Sequence, residues 1–597
     1  MSDQPVWDGK IPNLAEFSKN MAEVASRSQD LVLDFFKRQE AGGLESPDPQ
    51  NLGTAFLEMT AKIMADPAKL AEAQVSLWTE YMNLWQRTAL KFLGQDAEPV
   101  AEPQAGDRRF RDTEWDENQL FDFVKQSYLL TARWIQRTVG SVEGLDEKTA
   151  KKVDFFTNQF VDAMAPTNFV LTNPEVLRAT LESGGENLVR GLENVLEDLE
   201  RGKGRLNIKM TDMSAFKIGE NVATTPGKVV YQNELMQLLQ YQPTTEEVHE
   251  RPLLIAPPWI NKFYILDLRP ENSFIKWAVS QGYTVFVISW INPDAELASA
   301  GFEDYMNRGI LDALDAVEQA TGEREVTAIG YCIGGTLLAA TLAFMSAKGD
   351  DRIKAATFFA SQVDFSQPGQ LSVFIDEDQL QHLDDLMAET GVLESSRMAD
   401  TFSMLRANDL IWSFVVNNYL LGKEPFPFDL LYWNSDSTNL PRAVHSFYLR
   451  QMYQHNRLAE PGGIALNSVP IDLTKVDIPI YLQASKEDHI APSGSVFKAL
   501  DLYSGPVRFV VAGSGHIAGV INPPDADKYQ YWTNDQNAET FPEWFEGADE
   551  HPGSWWPDWN SWLSEKSGPM VAARTPGDGK LKVIEDAPGT YVTMKGD

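Results

Sequence analysis

The sequence predicts an α/β fold with a parallel sheet, preceded by an all-helical region, on three observations. From about Phe216 onward, short apolar runs bounded by turn residues alternate with helical patterns, the texture of parallel strands joined by helices. Before that point apolar residues recur at mixed three and four spacing, as in Leu14, Phe17, Met21, Val24 and in Leu77, Tyr81, Leu84, Trp85, the period of an amphipathic helix. Between a β-branched run and a small-residue run lies Gly330-Tyr331-Cys332-Ile333-Gly334-Gly335, which holds the chain's single cysteine.

The third observation carries the chemistry. Val326-Thr327-Ala328-Ile329 reads as a strand and 336–343 as a helix, so the hexapeptide is a strand, Gly-x-nucleophile-x-Gly, helix turn. A nucleophile on so tight a turn is held in strained backbone, and its neighbours must lack side chains for strand and helix to pack closely. This is the nucleophile elbow of an α/β-hydrolase fold, with a thiol in place of the usual hydroxyl. A free cysteine is more often a small buried hydrophobe, but here strand, glycine spacing and helix all agree with the motif's context.

Taken in order, helices are expected within 11–95, then a polar linker over 94–106, then helices over 118–139, 147–164 and 173–200, ending near Arg201-Gly202-Lys203-Gly204. Strands are predicted at 228–231, 253–256, 284–289, 326–329, 355–360, 478–484 and 507–512. More than about a hundred residues separate the fifth and sixth of these, too many for a crossover, and in this fold such an insertion is a cap or lid. The expected organisation is a helical N-terminal domain over 1–215 and an α/β-hydrolase catalytic domain over 216–597 with a cap at about 366–450. The apolar stretch 410–420 is expected to pack in the cap or line an acyl channel, and Trp555, Trp556, Trp559 and Trp562 to pack in the core.

The chain has 597 residues, 43% of them hydrophobic, enough for two or three domains and a large core. One cysteine excludes an intrachain disulfide framework and fits a reducing compartment. The N-terminal residues lack a basic region followed by an apolar core, and no stretch approaches the roughly 20 apolar residues that span a bilayer. A soluble, cytoplasmic protein is expected. A net charge of −35 argues against nucleic acid as a partner.

A thiol needs a base, and the order in this fold is nucleophile, acid, histidine. Among seven histidines, His516 sits in Gly513-Ser514-Gly515-His516-Ile517-Ala518-Gly519, just past the strand predicted at 507–512. The acid should follow the preceding strand, where Asp488 is favoured over Glu487 because a short side chain before Ile490-Ala491-Pro492 suits a strand end. His489 is expected to brace the site rather than act as base. The backbone N–H of Ile333 should form one half of an oxyanion hole, with the other half from the loop after 253–256. Pro257 and Pro258 cannot donate, which leaves Trp259 or Ile260.

Together with 257–267, 289–294, 433–441, 515–524 and 553–556, the elbow resembles class I polyhydroxyalkanoate synthases, over a span from about Arg109 to Trp562. The first hundred residues match only in being helical. The resemblance implies polymerisation of (R)-3-hydroxyacyl-coenzyme A, with 3-hydroxybutyryl-coenzyme A the expected unit, into storage polyester. Carried across position by position, the nucleophile, acid and histidine fall on Cys332, Asp488 and His516, the three already reached from the residues. Asp267 is expected to support them, and Tyr331, Trp433 and Asn434 to line the substrate channel. No cofactor and no metal are expected, because coenzyme A is the leaving group of the substrate. A homodimer is implied, with granule-associated proteins as further partners and residence on cytoplasmic polyester granules.

Sulfur suits such chemistry. A cysteine thiolate exchanges one thioester for another in a nearly balanced step, and attack by a 3-hydroxyl then forms the more stable oxoester. The alternatives are a cysteine-dependent acyl-coenzyme A thioesterase or ester hydrolase of the same fold, and an inactive polymer-binding scaffold. The large cap and the helical extension argue against the first, the intact Cys332, Asp488 and His516 against the second.

Overall fold

The computed structural model describes residues 14–40, 52–104, 106–536 and 538–596. The N-terminal residues read for a secretory signal lie outside these. Two compact units emerge: the described residues up to Asp212 together with Phe402–Phe426, and Met213–Thr401 together with Pro427 onward.

The second unit is built on an 11-stranded sheet. Its strands are β1 (Gly227–Gln232), β2 (Met236–Tyr241), β3 (Leu253–Ala256), β4 (Val285–Trp290), β5 (Val326–Tyr331), β6 (Ile353–Phe359), β7 (Ile480–Ser485), β8 (Val507–Ala512), β9 (Gln530–Thr533), β10 (Asp549–Pro552) and β11 (Glu585–Asp586). In space they run β10-β9-β8-β7-β6-β5-β3-β4-β2-β1-β11. The block from β4 to β8 is parallel, whereas β1, β2, β9, β10 and β11 pair antiparallel at the two ends. All seven predicted strands fall in this sheet, and the fold is of the α/β-hydrolase class. Of the antiparallel strands only β1 was foreseen: β9 and β10 are short, polar and largely half-exposed or exposed, so they carry no apolar run.

The central strands β2 to β5 are buried at every position, as strands covered on both faces must be. The helix Ile333–Lys348 is buried from Ile333 to Met345. Its small residues let it lie close to the sheet, and with no polar face it could be stable only inside a core.

In the first unit, Asp66 caps Pro67–Phe92 by accepting from Lys69 N at 3.1 Å, with proline at the first helical position. Pro67–Phe92 and Gln119–Gly140 share Leu84, Ala101 and Leu130 in one small core. The stretch expected as a free linker is therefore held: Ala101 is buried, and Gln126 Oε1 accepts from Val100 N at 2.6 Å. The run 173–200 divides into Pro174–Glu182 and Glu186–Arg201, because Gly184 and Gly185 both take positive φ, 61° and 86°.

The segment between β6 and β7 spans 360–479, longer than the cap boundaries 366–450 suggested. Its residues 402–426 belong with the N-terminal helices, so the helical unit is not the single span 1–215. That stretch docks on Glu186–Arg201: Asn187 Nδ2 donates to Leu420 O at 2.7 Å, Asn194 Nδ2 to Asn418 O at 2.9 Å, and Tyr419 OH to Asp198 Oδ2 at 2.6 Å. Gly191 makes the approach possible, since a Cβ there would collide with the Tyr419 carbonyl.

Candidate active site

Cys332 is the residue between β5 and the helix Ile333–Lys348, and it adopts φ 52°, ψ −125°. A side-chain-bearing residue is strained there by about 1–3 kcal/mol, so the surroundings must hold it. They do so from several directions. Cys332 N–H donates to Phe359 O at 2.9 Å, and its carbonyl accepts from Gly335 N at 2.9 Å and from Ser361 Oγ at 2.8 Å. The glycines act by close approach. A Cβ on Gly330 would strike Gly335, one on Gly334 the carbonyls of Ala256 and Pro257, and one on Gly335 the Ser361 side chain. Ile333 opens the helix, so its N–H is among those at a helix N-terminus that no intrahelical carbonyl takes.

Asp488 and His516 come from the ends of β7 and β8. His516 Nδ1 donates to Asp488 Oδ2 at 2.7 Å, with side-chain exposures of 10% and 0%. The other Asp488 oxygen accepts from Ile490 N at 2.8 Å and Ala491 N at 2.9 Å, which locks the carboxylate plane. Glu487 is exposed. Burial works to lower the His516 pKa, but the Asp488 charge and then the Cys332 thiolate outweigh it, and the imidazole is held well above its usual range. With Nδ1 taken by Asp488, the side-chain hydrogen bond between His516 and Cys332 falls to Nε2.

The other expected residues divide. Tyr331 is buried against the histidine: its ring stacks on the imidazole at 5.9 Å and its hydroxyl donates to His516 O at 3.3 Å. Asp267 lies in a separate buried network, where it accepts from Thr225 Oγ1 and Ser273 Oγ, both at 2.6 Å; burial pushes its pKa up to about 6 against the pull of those hydrogen bonds. It braces the far end of the 257–267 loop. The His489 carbonyl accepts from Gln370 N at the start of the cap. Trp259 is buried among Trp290, Phe302, Tyr305 and Tyr448, while Ile260 is half-buried. Trp433 is buried with its indole N–H on Lys262 O at 2.7 Å, and Asn434 is half-buried on the helix Asp429–Ser435.

Sequence reasoning missed two groups. Tyr448 and Tyr453, with rings 5.5 Å apart in the cap, are held above the ordinary phenol range by burial and, less strongly, by the nearby Cys332 charge. They fall where a helix widens into the π-helical turn Leu449–Gln454, which leaves no mark in apolar spacing. Trp555 and Trp556 are core residues as expected, and their indoles also anchor the histidine loop, donating to Gly519 O at 2.8 Å and Val520 O at 2.9 Å. Among the described residues, no cluster of histidine, cysteine and carboxylate is placed to hold a metal ion, and no helix is long and apolar enough to cross a membrane.

A strained thiol and a histidine–aspartate pair sit at the strand ends of an α/β-hydrolase sheet, and comparison with known proteins places the chain further. Residues 106–278 match the model for the N-terminus of poly-beta-hydroxybutyrate polymerase, and 265–523 that for the alpha/beta hydrolase fold. The chain is 49% identical over 592 residues to the poly(3-hydroxyalkanoate) polymerase of Methylorubrum extorquens, covering 96% of this chain and 98% of that protein. It is 53% identical to poly(3-hydroxyalkanoate) polymerase subunit PhaC of Rhizobium meliloti, over 89% of this chain and 87% of the relative. To the subunit of the same name from Rhizobium etli it is 50% identical, over 89% and 84%. Identity at this level along nearly the whole chain means that it belongs to the poly(3-hydroxyalkanoate) polymerase family.

Proposed function

We propose that this protein polymerises (R)-3-hydroxyacyl-coenzyme A, with 3-hydroxybutyryl-coenzyme A as its unit, through a covalent thioester on Cys332. The observation that carries the reading is the Asp488–His516 pair at 2.7 Å, whose histidine also hydrogen-bonds with the thiol on a strained elbow. Asp488 keeps the His516 proton on Nδ1, so Nε2 takes the thiol proton and a thiolate–imidazolium pair results. The thiolate adds to the substrate carbonyl, and the oxygen that becomes negative is met by Ile333 N–H and by an N–H of Trp259 or Ile260. Collapse breaks the carbon–sulfur bond to coenzyme A, which leaves with the proton from His516.

The second half-reaction reuses the same base. His516 takes the proton of a 3-hydroxyl, whose oxygen attacks the Cys332 thioester; an oxoester forms and the thiol is regenerated. Exchange of thioester for oxoester drives elongation, and no cofactor enters either step. Water must be excluded from the acylated thiol, and the half-buried tyrosines of the cap, Tyr448 and Tyr453, suit that role. The helical unit serves association, as a homodimer or with granule proteins, at the surface of cytoplasmic polyester granules.

The test is incubation of the pure protein with 3-hydroxybutyryl-coenzyme A. Release of coenzyme A with growing turbidity is expected. Free hydroxyacid without polymer would identify a thioesterase instead, and turnover unchanged in Cys332→Ala would overturn the mechanism.

A further inference from the structure

Lys262 and Asp436 form a buried ion pair that the reaction above does not use. Lys262 Nζ lies 2.7 Å from Asp436 Oδ1, with side-chain exposures of 3% and 6%, and Tyr264 OH donates to Asp436 Oδ2 at 2.8 Å. Burial pushes the ammonium below and the carboxyl above their ordinary ranges, against the attraction of each for the other. A buried pair of this kind stabilises a fold little, since well-packed apolar residues of similar volume do as well or better. Its position is the informative feature. Lys262 and Tyr264 lie on the loop that leaves β3, and Asp436 lies on the cap.

That loop starts against the nucleophile, since the carbonyls of Ala256 and Pro257 are what a side chain on Gly334 would strike. Trp290 Nε1 holds Pro257 O at 2.8 Å. From Trp259 to Tyr264 its described side-chain anchors from outside the loop come from the cap: Thr438 Oγ1 donates to Trp259 O at 2.8 Å and Trp433 Nε1 to Lys262 O at 2.7 Å, beside the ion pair itself. The residues able to give the second oxyanion donor, Trp259 and Ile260, therefore lie between a sheet anchor at Pro257 and cap anchors at 259, 262 and 264.

We infer that Lys262 and Asp436 are positioning residues, whose ion pair fastens the cap to the oxyanion loop so that its N–H stands at the reacting carbonyl only while the cap is seated. The inference rests on the acyl-transfer reading. The latch acts on the transition-state oxygen, so its loss lowers kcat and leaves substrate binding and thiol reactivity in place.

The experiment compares Asp436→Asn, Lys262→Met, Tyr264→Phe and the double variant Lys262→Met/Asp436→Leu with the wild-type protein. Coenzyme A release from 3-hydroxybutyryl-coenzyme A, alkylation of Cys332 by iodoacetamide, and the unfolding midpoint are measured on each. The two charge-removing single variants are expected to lose about 10- to 100-fold in kcat, up to the loss of one oxyanion donor, with KM and alkylation rate within about threefold. Tyr264→Phe keeps the pair and should lose less. The double variant removes both buried charges, so it should recover the wild-type unfolding midpoint while kcat stays low. A double variant whose kcat recovers with its stability would show a structural role only and overturn the inference. So would single variants whose alkylation rate falls in step with kcat. A wild-type protein that released no coenzyme A would overturn the acyl-transfer reading instead.

Discussion

Asparagine at position 488 separates the geometry of the histidine from its tautomer. One Asp488 oxygen accepts from Ile490 N and Ala491 N at 2.8 and 2.9 Å, and the other meets His516 Nδ1 at 2.7 Å. In Asp488→Asn the amide must choose which end faces which partner. Turning its NH2 toward the two backbone donors would leave two buried N–H groups unsatisfied, at about 1–3 kcal/mol each. The amide oxygen therefore takes their side and the NH2 faces His516. Nδ1 must then present its lone pair, the ring proton moves to Nε2, and the nitrogen facing Cys332 is no longer a base. Loss of the correct tautomer in a triad lowers turnover by about 10⁴, which at about 1.36 kcal/mol per decade is about 5 kcal/mol of barrier.

Single-turnover release of coenzyme A reads the acylation step directly. A second signature comes from pH. The folded His516 pKa lies well above its unfolded value, so its contribution to stability is full below about pH 6.5 and is lost as pH rises through the folded value. Without the aspartate charge that window should narrow, as read from unfolding midpoints between pH 5 and 9. A variant that folds, keeps turnover within tenfold of wild type and shows the same pH window would refute the assignment of Asp488.

Three further outcomes are expected. Asp267, pushed up to about 6, contributes stability that is full below pH 4 and lost as pH rises through 6; denaturant unfolding should show about 3 kcal/mol of decline between pH 4 and 7 that Asp267→Asn lacks. Trp555→Phe strands the buried Gly519 carbonyl, so stability should fall by about 1–3 kcal/mol, and the loosened His516 loop should cost about tenfold in kcat; unchanged kinetics would mean that the loop is held otherwise. Tyr419→Phe removes the hydroxyl on Asp198 and should destabilise the helical unit by about 1–2 kcal/mol while kcat and KM hold; a rise in KM would give the 410–420 stretch a channel role.

What could be read from the chain alone, and what could not, follows from how far apart the cooperating residues lie. The elbow was legible because its constraints are local: Gly330, Gly334 and Gly335 are needed within five positions of one another, and strand and helix flank them directly. Asp488 was preferred to Glu487 on local grounds as well, side-chain length and the following turn, and it is Asp488 that pairs with His516. The 410–420 stretch was legible as apolar but not as to partner, because Gly191 and Asp198 complete it from some 220 residues away. Nor did any pattern mark β9 and β10, whose pairing replaces the apolar alternation they lack.

The second half of the oxyanion site shows the limit most clearly. Sequence narrowed it to Trp259 or Ile260 by removing prolines, which cannot donate, but an N–H is a donor to a substrate only where the backbone is held. The holding groups are Asp436, Trp433 and Thr438, inside an insertion whose length had suggested only a lid. A cap tied to the oxyanion loop does more than exclude water. If acylation requires the cap seated, the thioester on Cys332 forms only when water is already shut out, and this ordering separates a polymerase from a thioesterase built on the same three residues.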